Sequence, residues 1–371
     1  MVNSNRILNK VLLFFMLGTF ASSLFATTAG FDVLVVDAET FEPIKGVDVV
    51  GWFSNDNGWK AWTESAPTYV DKKITDKHGR CHVTGETNTG ETGVNIRCPP
   101  KGYYPNCFRV RHIFTEKPIF PFTHWRPTDL VITAALYKIE SPVSLFVKKA
   151  FGKFDVDWPT DSDAGTNAVL RYDFMVGDWL PPAGKGIVAD MTVRATMAAS
   201  RHIDRWSRLD GSEYIRTTRF YDVTDAFEFC GEGNGVVRKV AASNAIPFVR
   251  KAGVDGFGKT FHMSFGKRKK IIGPNVYYDD YTDSNKDVVH VFRIRSRFDE
   301  HGNLKEAYYG KIYGDFRLYG KWMYGYNGIS FTYYLNPKPN DRNLEWDMKN
   351  NLCPKTGDVR VKVNHSLMLL P

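Results

Sequence analysis

The sequence lacks the residue spacings from which proteins usually build a zinc site. It contains no Cys-x-x-Cys pair and no His-Glu-x-x-His motif, and none of its nine histidines is followed by glutamate at the third position. Zinc fingers and zinc peptidases need such spacings to bring three or four ligands to one metal ion. We therefore predict no metal site and no other cofactor.

Cysteine is also scarce. Five cysteines in 371 residues are an odd number and too few for a disulfide scaffold, so at least one thiol should stay free. Cys98 and Cys107 flank a short proline-rich loop and are the candidate disulfide. The sequence does not decide the pairing of Cys81, Cys230 and Cys353.

A hydrophobic run long enough for a confident membrane span is missing as well. The apolar run Val11–Phe20 is too short, follows the basic residues Arg6 and Lys10, and leads into small residues. This order is typical of a secretory signal peptide, which we assign to residues 1–29. An uncleaved N-terminal anchor is the alternative. We predict a secreted, periplasmic or cell-envelope protein with no stable membrane span after signal removal.

Charge is biased toward one sign. Lysine and arginine number 49 and aspartate and glutamate 41, for a formal net charge of +8. Such a surplus first favours solubility, and it can also favour anionic partners such as acidic glycans or lipid head groups. Nucleic acid is not an expected partner of an exported protein.

Period-two alternation and turn residues predict a mainly β protein. Phe31–Asp37 is apolar on both faces, as in a strand inside a sandwich, and Val47–Phe53 follows it after a turn. Asp76–Arg80 reads as a turn in which Gly79 takes a positive φ. Leu130–Tyr137 reads as the closing strand of this half of the chain.

Four segments of this half resemble the carboxypeptidase-regulatory or prealbumin-like family. They are Val35–Asp37, Glu42–Val49, Thr75–Arg80 and Gly102–Tyr104. The resemblance implies a seven-stranded Greek-key sandwich that is an accessory module and not itself catalytic. The sequence departs from the family at Phe41, where the family usually has glycine. The zinc carboxypeptidase suggested by the family name is not expected, because its ligand spacing is missing.

The chain is long enough for two ordinary domains. We predict a prealbumin-like β-sandwich over residues 30–140, a linker over residues 141–167, and a larger antiparallel β-rich domain over residues 168–371. In the last of these, the strand Val288–Phe298 runs into the turn Asp299–Asn303. Little in this region has a helical pattern.

The second domain also contains segments that resemble exported bacterial proteins of unassigned activity. These segments are Tyr308–Asp315, Tyr333–Pro337 and Pro339–Asp347. The resemblance carries no activity with it.

Five residues are candidates for binding. Arg293, Arg295 and Arg297 lie at strand spacing on one face and would suit an acidic polysaccharide, although a solvated sheet face is the alternative. His124 and Trp125 lie in a proline-rich segment and could line a ligand surface, although packing of the loop is the alternative.

A glycan-active hydrolase needs two carboxylates that face each other across a cleft. Five acidic residues lie in strand or turn contexts rich in aromatics: Asp173, Asp178, Asp190, Glu345 and Asp347. These carboxylates keep a hydrolase in the second domain open as an alternative.

Two further motifs have structural interpretations that we favour. Gly231–Gly235 lacks the helix that a nucleotide-binding loop requires, so we predict a hairpin turn. Asp283–Asp287 has oxygen ligands at alternate positions but no glycine in the expected place, so a polar turn is favoured and calcium binding is left open.

These observations predict an exported, non-catalytic protein that binds a glycan or a cell-surface component. The alternatives are the hydrolase and a structural subunit of a surface assembly. The sequence does not predict an oligomeric state.

Overall fold

A computed structural model shows that the chain is built from strands. It describes residues 27–54, 68–104, 109–115, 125–154, 166–207, 213–240, 248–272, 275–282, 288–319 and 327–353. All helix-or-strand elements in these ranges are strands, which confirms the predicted mainly β fold. No helix in the described part is long and apolar enough to cross a membrane. The chain divides into two compact units, Met1–Glu140 (unit 1) and Ser141–Pro371 (unit 2).

Unit 1 has seven described strands in two sheets. They are β1 (Thr27–Asp37), β2 (Asp48–Ser54), β3 (Thr68–Ile74), β4 (Arg80–Thr87), β5 (Glu91–Cys98), β6 (Arg109–Ile113) and β7 (Val131–Leu136). The sheet orders are β4-β1-β7 and β3-β2-β5-β6. Strand β1 is antiparallel to β4 and parallel to β7.

The two sheets of unit 1 pack face to face. Alternate residues of each strand, such as Val33 and Val35 of β1 and Val49 and Phe53 of β2, are fully buried in one shared core. Because these residues come from different sheets, the unit is a β-sandwich.

The segments that carry the family resemblance meet at one end of unit 1. The Tyr103 hydroxyl lies 3.0 Å from Asp37 Oδ2. Thr75 Oγ1 donates to Ile44 O at 2.8 Å and accepts from the Val47 amide at 2.9 Å. These hydrogen bonds join turns that are far apart in the sequence.

Phe41 occupies a strained position in this turn region. Its φ is +59°, in the left-handed region where a bulky residue is rare, and its side chain is 73% exposed. The turn is held by Asp37, whose Oδ1 accepts from the Glu39 and Thr40 amides and whose carbonyl accepts from the Phe41 amide. The surrounding hydrogen bonds therefore fix the backbone of Phe41 in a conformation that glycine would adopt more easily.

The folded part of unit 1 begins earlier than predicted. Strand β1 starts at Thr27, which pairs with Thr87, and Ala29 is buried in the core. The predicted start of the sandwich at residue 30 is therefore corrected to residue 27. Residues 1–26, the remainder of the predicted signal peptide, lie outside the described residues.

Unit 2 is a larger sandwich of two sheets. Its strands are β8 (Val143–Phe154), β9 (Thr166–Asp173), β10 (Asp178–Trp179), β11 (Met191–Ser207), β12 (Glu213–Phe229), β13 (Gly235–Val240), β14 (Thr260–Ile272), β15 (Asn275–Thr282), β16 (Val288–Phe298), β17 (Leu304–Tyr313), β18 (Arg317–Tyr319), β19 (Asn327–Asn336) and β20 (Trp346–Asn351). The six-stranded sheet has the order β10-β9-β11-β12-β14-β15. The seven-stranded sheet has the order β13-β16-β17-β19-β8-β20, with β18 paired to β19.

Aromatic rings fill much of the space between these two sheets. Phe174 stacks on Phe292 with centroids 4.5 Å apart, and Tyr172 contacts Phe331 edge to face at 5.2 Å. Because Tyr172 and Phe292 belong to different sheets, the rings bridge the sandwich. A smaller apolar cluster, which includes Val289, Val291 and Leu344, forms a separate core.

The predicted linker over residues 141–167 is wrong for Val143–Phe154. This segment is strand β8, which pairs with β19 on one side and β20 on the other, and Leu145 and Val147 are buried. The strands that pair with β8 come from the far end of the chain. The lysines and the glycine within β8 interrupt its apolar alternation, so the local sequence does not indicate a strand. Residues 155–165 lie outside the described residues.

The glycine-rich segment Gly231–Gly235 is not a hairpin turn. It carries the chain from β12 in one sheet to β13 in the other, with φ of +97° at Gly231 and +66° at Gly233. Asn234 stabilises it by accepting a 2.8 Å hydrogen bond from the Ser296 amide. By contrast, the turn after β16 is as predicted, with Gly302 at φ +79° and its amide donating to Asp299 O at 3.0 Å.

Candidate functional site

The three candidate arginines of strand β16 do not form one surface. Arg293 donates from Nε to Gly233 O at 2.7 Å and lies over the Phe257 ring at 4.7 Å. The Arg297 side chain is 74% exposed and lies 3.8 Å from Glu306. Arg295 turns to a third environment, described next. The predicted polysaccharide surface is therefore not assembled by these residues.

A β-bulge separates Arg295 from its neighbours. The register between β16 and β17 shifts between Ile294 and Arg297, and Arg295 has φ +52°. An extra residue in one strand breaks the alternation of side chains and re-aims one of them. Period-two spacing therefore could not place these arginines correctly.

Arg295 forms an ion cluster with Asp173 and Asp190, here called the Arg295 cluster. Its Nη2 lies 2.7 Å from Asp173 Oδ1, and its Nε lies 2.9 Å from Asp190 Oδ1. Both carboxylate side chains are 1% exposed, and that of Arg295 is 28% exposed. Since Asp173 ends β9 of the six-stranded sheet and Arg295 lies in the seven-stranded sheet, the cluster joins the two sheets.

Backbone amides occupy the remaining positions around Asp173. Its Oδ2 accepts from the Ile187 and Val188 amides at 3.0 and 2.9 Å, and its Oδ1 accepts from those of Met175 and Val176 at 3.0 Å each. Burial alone would raise the pKa of Asp173. These amides and Arg295 outweigh it and hold that pKa below its ordinary value. Asp173 is thus a charged anchor for a loop and a poor proton donor.

The other carboxylates of the hydrolase alternative also serve local structure. Asp178 accepts from the Trp179 amide at 2.8 Å, and Glu345 accepts from the Ser141 amide at 2.8 Å. Asp347 accepts from the Lys349 and Asn350 amides at 2.9 Å. These hydrogen bonds assign turn-stabilising roles to residues that we considered as acids or bases.

Trp125 lies in the core of unit 1. It is 4% exposed, its indole N–H donates to Thr87 O at 3.3 Å, and its ring packs against Phe114. Its predicted place on a ligand surface is therefore corrected to the interior, in agreement with the loop-packing alternative. His124 lies outside the described residues.

Lys311 is a buried amine that the sequence analysis did not identify. It lies in β17 with no exposed surface, and its Nζ donates to Val249 O at 3.1 Å and to the Tyr313 hydroxyl at 3.0 Å. The rings of Phe248, Tyr313 and Tyr334 lie 4.7 to 5.5 Å from Nζ. Burial lowers the pKa of Lys311 well below its ordinary value, which Glu345 opposes only in part. The signal in the sequence is a lysine that alternates with Tyr309 and Tyr313.

A histidine and an aspartate form a second buried pair in the interior of unit 2. His290 Nε2 lies 2.5 Å from Asp315 Oδ1, and Arg238 Nη2 lies 3.3 Å from Asp315 Oδ2. A histidine oriented by a carboxylate is part of a catalytic triad. Here, however, the His290 ring is 1% exposed and packs beside Phe261 and Phe316. The pair is therefore part of the core.

Some of the residues in the metal and disulfide predictions lie outside the described ranges. Within the described ranges, no group of three His, Cys, Asp or Glu side chains is placed to hold a metal ion. The calcium candidate Asp283–Asp287 lies outside those ranges, as does Cys107, so the Cys98–Cys107 disulfide stays a prediction. Cys81, Cys230 and Cys353 are free thiols.

No protein-family model matches the sequence, and no curated protein matches it significantly. Several solved structures align loosely with it. The Streptococcal ancillary pilin is 15% identical, and the alignment covers 53% of this chain and 53% of that chain at a TM-score of 0.21.

Two further pilins have similar values. The full-length major pilin SpaD of Corynebacterium diphtheriae is 8% identical, with 74% of this chain and 87% of that chain covered at a TM-score of 0.23. The major pilin subunit of Bacillus cereus is 12% identical, with coverages of 75% and 92% and a TM-score of 0.20. The chain spans about half the length of the ancillary pilin. TM-scores of this size do not establish a shared fold or function.

Proposed function

We propose that this protein is a non-enzymatic structural subunit of an assembly at the cell surface. The proposal rests on where its ionisable groups lie and on what they contact. Several of those in unit 2 are buried in the sandwich and hold strands and loops together, as the Arg295 cluster does between the two sheets. A scaffold needs such internal ties, whereas a binding site would present the same groups to solvent.

Lys311 supports the same proposal. Its amine is fully buried and donates to a backbone carbonyl in a neighbouring loop and to a tyrosine hydroxyl. A catalytic or binding lysine must reach its substrate, and this one has no exposed surface. Its role in the proposed scaffold is to fix the segment around Val249 against the sheet.

Glycan binding, our main expectation from the sequence, is not supported by the positions of the residues that suggested it. Arg293, Arg295 and Arg297 have three separate environments, and Trp125 is buried. We therefore favour the structural role over a carbohydrate-binding role.

We also propose that unit 1 is a prealbumin-like accessory module of this exported protein. Support comes from the meeting of the motif segments, in which Asp37 contacts Tyr103 and Thr75 contacts Ile44 and Val47. Positive φ at Gly46, Gly79 and Gly102 also suits the turns of the motif. Export itself rests on the N-terminal sequence.

The assembly test uses the full chain, expressed with its N-terminal segment in a bacterial host. We expect chemical cross-linking of intact cells to give a ladder of species that contain the protein. We also expect the purified protein to show concentration-dependent oligomers by light scattering. A monomer at all concentrations, with no cross-linked species on cells, would contradict the structural role.

A glycan array with the same purified protein separates this role from the carbohydrate-binding one. We expect no specific glycan signal. A glycan signal that is lost when Arg293 and Arg297 are both changed to Ser would make glycan binding the favoured function.

A further inference from the structure

A second aspartate of unit 2 has an environment opposite to that of Asp173. Asp225 lies in strand β12, on the same side as the core residues Val223 and Phe227, and it has no exposed surface. Its neighbours in the adjacent strands are Ala195 of β11 and Met263 of β14, which also belong to the core. An acidic side chain therefore points into the apolar interior of the sandwich.

Both oxygens of this carboxyl lack a hydrogen-bond partner in the described structure. A buried carboxylate without a partner is costly, and a buried carboxylic acid is far less so. By contrast, Asp173 in the same unit accepts four backbone amides and an arginine. Asp225 is thus built for its neutral form, and Asp173 for its charged form.

The ionisable groups near it in the described part of unit 2 do not compensate for this burial. On the adjacent strands, Arg194 of β11 and His262 of β14 are exposed, and across the sandwich His290 is paired with Asp315. Tyr172 and Tyr333 also face the interior, and so does the Arg295 cluster. None of them contributes to the shift at Asp225, where burial raises the pKa to about 7.

We infer that Asp225, a buried carboxyl with no hydrogen-bond partner among the described residues, is a pH sensor in the core of unit 2, neutral at acidic pH and an uncompensated charge at alkaline pH. Ionisation places an uncompensated charge between Ala195 and Met263, at the centre of the six-stranded sheet. We therefore expect opening of the unit 2 interior to become more favourable as the pH rises toward neutrality. This inference goes beyond the proposed structural role, because it makes unit 2 more stable at acidic than at alkaline pH.

The sign follows from proton binding in the two states. Unfolded aspartate loses its proton near pH 3.9, so between that pH and neutrality the folded state binds more protons than the unfolded state. Stability therefore falls as the pH rises through this window and levels off above it. The full effect of a shift from 3.8 to about 7 is on the order of a thousandfold in the folding equilibrium.

Direct titration is the first test. Carbon-13 NMR of the intact chain with labelled aspartate should show one carboxyl that titrates near neutrality and that is missing from the Asp225→Asn protein. If that variant does not fold, Asp225→Leu serves for the assignment. An Asp225 signal that titrates below about pH 5, as an ordinary carboxyl does, would overturn the inference.

The stability test compares variants of the same strand. Urea unfolding of the full chain, with hydrogen exchange of the β11, β12 and β14 peptides to follow unit 2, is measured from about pH 4 to about pH 8. We expect the wild type to lose up to about a thousandfold of its folding equilibrium constant relative to Asp225→Asn or Asp225→Leu over this range. Asp222→Asn, an exposed acid in β12, is the matched control and should retain the wild-type dependence. The same pH dependence in wild type and in both Asp225 variants would contradict the sensor.

Discussion

Unit 1 and unit 2 are both β-sandwiches, yet they bury different polar groups. Among the described residues of unit 1, the buried polar ones are three threonines and one aspartate: Asp37, Thr75, Thr87 and Thr92. In unit 2 they include four acids, a lysine and a histidine with no more than 1% exposure: Asp173, Asp190, Asp225, Glu345, Lys311 and His290. The first sandwich buries mainly hydroxyl groups, and the second buries many ionisable groups.

This difference predicts which substitutions destabilise each unit most. Loss of a neutral hydrogen bond costs about 1–3 kcal/mol when a partner is left buried. Loss of one member of a buried ion pair costs about 3–5 kcal/mol, because the other charge is left without compensation. Unit 2 should therefore respond more strongly to substitution and to pH. Four variants test the comparison, in order of decreasing effect.

The largest effect is expected for Arg295→Met in unit 2. The change leaves Asp173 and Asp190 without their cation, and we expect unit 2 to lose about 3 kcal/mol of stability, near the low end of the range because Arg295 is partly exposed. Urea unfolding followed by hydrogen exchange of unit 2 peptides measures it.

Arg297→Met is the matched control for this change. Arg297 lies in the same strand with an exposed side chain, and we expect its loss to alter stability by no more than about 0.5 kcal/mol. Equal effects of the two substitutions would mean that the Arg295 cluster does not hold the sheets together.

Thr75→Val should have a smaller effect, and in unit 1. It leaves the buried Val47 amide and Ile44 carbonyl without their shared hydroxyl, at a cost of about 1–3 kcal/mol. Thr75→Ser keeps the hydroxyl and should retain most of the stability. Hydrogen exchange of β2 peptides measures the difference. If the serine variant is as unstable as the valine variant, packing and not the hydrogen bonds explains the loss.

Lys311→Met tests the buried amine of unit 2 through the pH dependence of stability. Burial lowers the pKa of Lys311 in the folded state, so in the range between that pKa and 10.5 the unfolded state binds more protons. Wild-type stability should therefore rise with pH in that range, by up to about 1.4 kcal/mol per pH unit. The methionine variant should lack this rise, which urea unfolding at several alkaline pH values detects. An identical rise in both proteins would show that Lys311 is charged when folded.

Phe41→Gly should give the smallest effect, and it should be stabilising. Glycine adopts the φ of +59° without strain, and the lost ring is 73% exposed, so we expect a gain of about 0.5–1 kcal/mol in unit 1. Phe41→Ala removes the ring but retains the strain and should gain nothing. Thermal unfolding compares the two. A loss of stability in the glycine variant would show that the Phe41 ring contributes packing.

Much of unit 1 could be predicted from local pattern. The strand at Val47–Phe53 was predicted within one residue of β2, Asp48–Ser54, and Gly79 has the positive φ expected of its turn. Alternation and turn residues act over a few positions, so a sequence displays them directly. In unit 2 the same reasoning found β16 and the turn after it. It misassigned β8, because that strand is defined by partners that lie far along the chain.

The candidate site was less predictable than the fold. Arg293, Arg295 and Arg297 share a spacing, but one extra residue in β16 sends Arg295 to Asp173 and Asp190, which lie more than a hundred positions earlier in the sequence. The residues around Trp125 have the composition of a surface loop, yet Trp125 packs in the core. Neither the β-bulge nor the long-range contact changes the local alternation of residues from which a strand is predicted.

The sequence by itself determined the mainly β class, many of the strands and turns, and the lack of zinc-peptidase spacing. Only the tertiary structure decided which polar groups are buried and which have partners. Asp173 and Asp225 are the same residue type, each in or at the end of a strand of one sheet, yet one is surrounded by amides and an arginine and the other by apolar side chains. The charge state of an aspartate depends on atoms that folding brings to within a few ångströms of it, and those atoms come from distant parts of the chain.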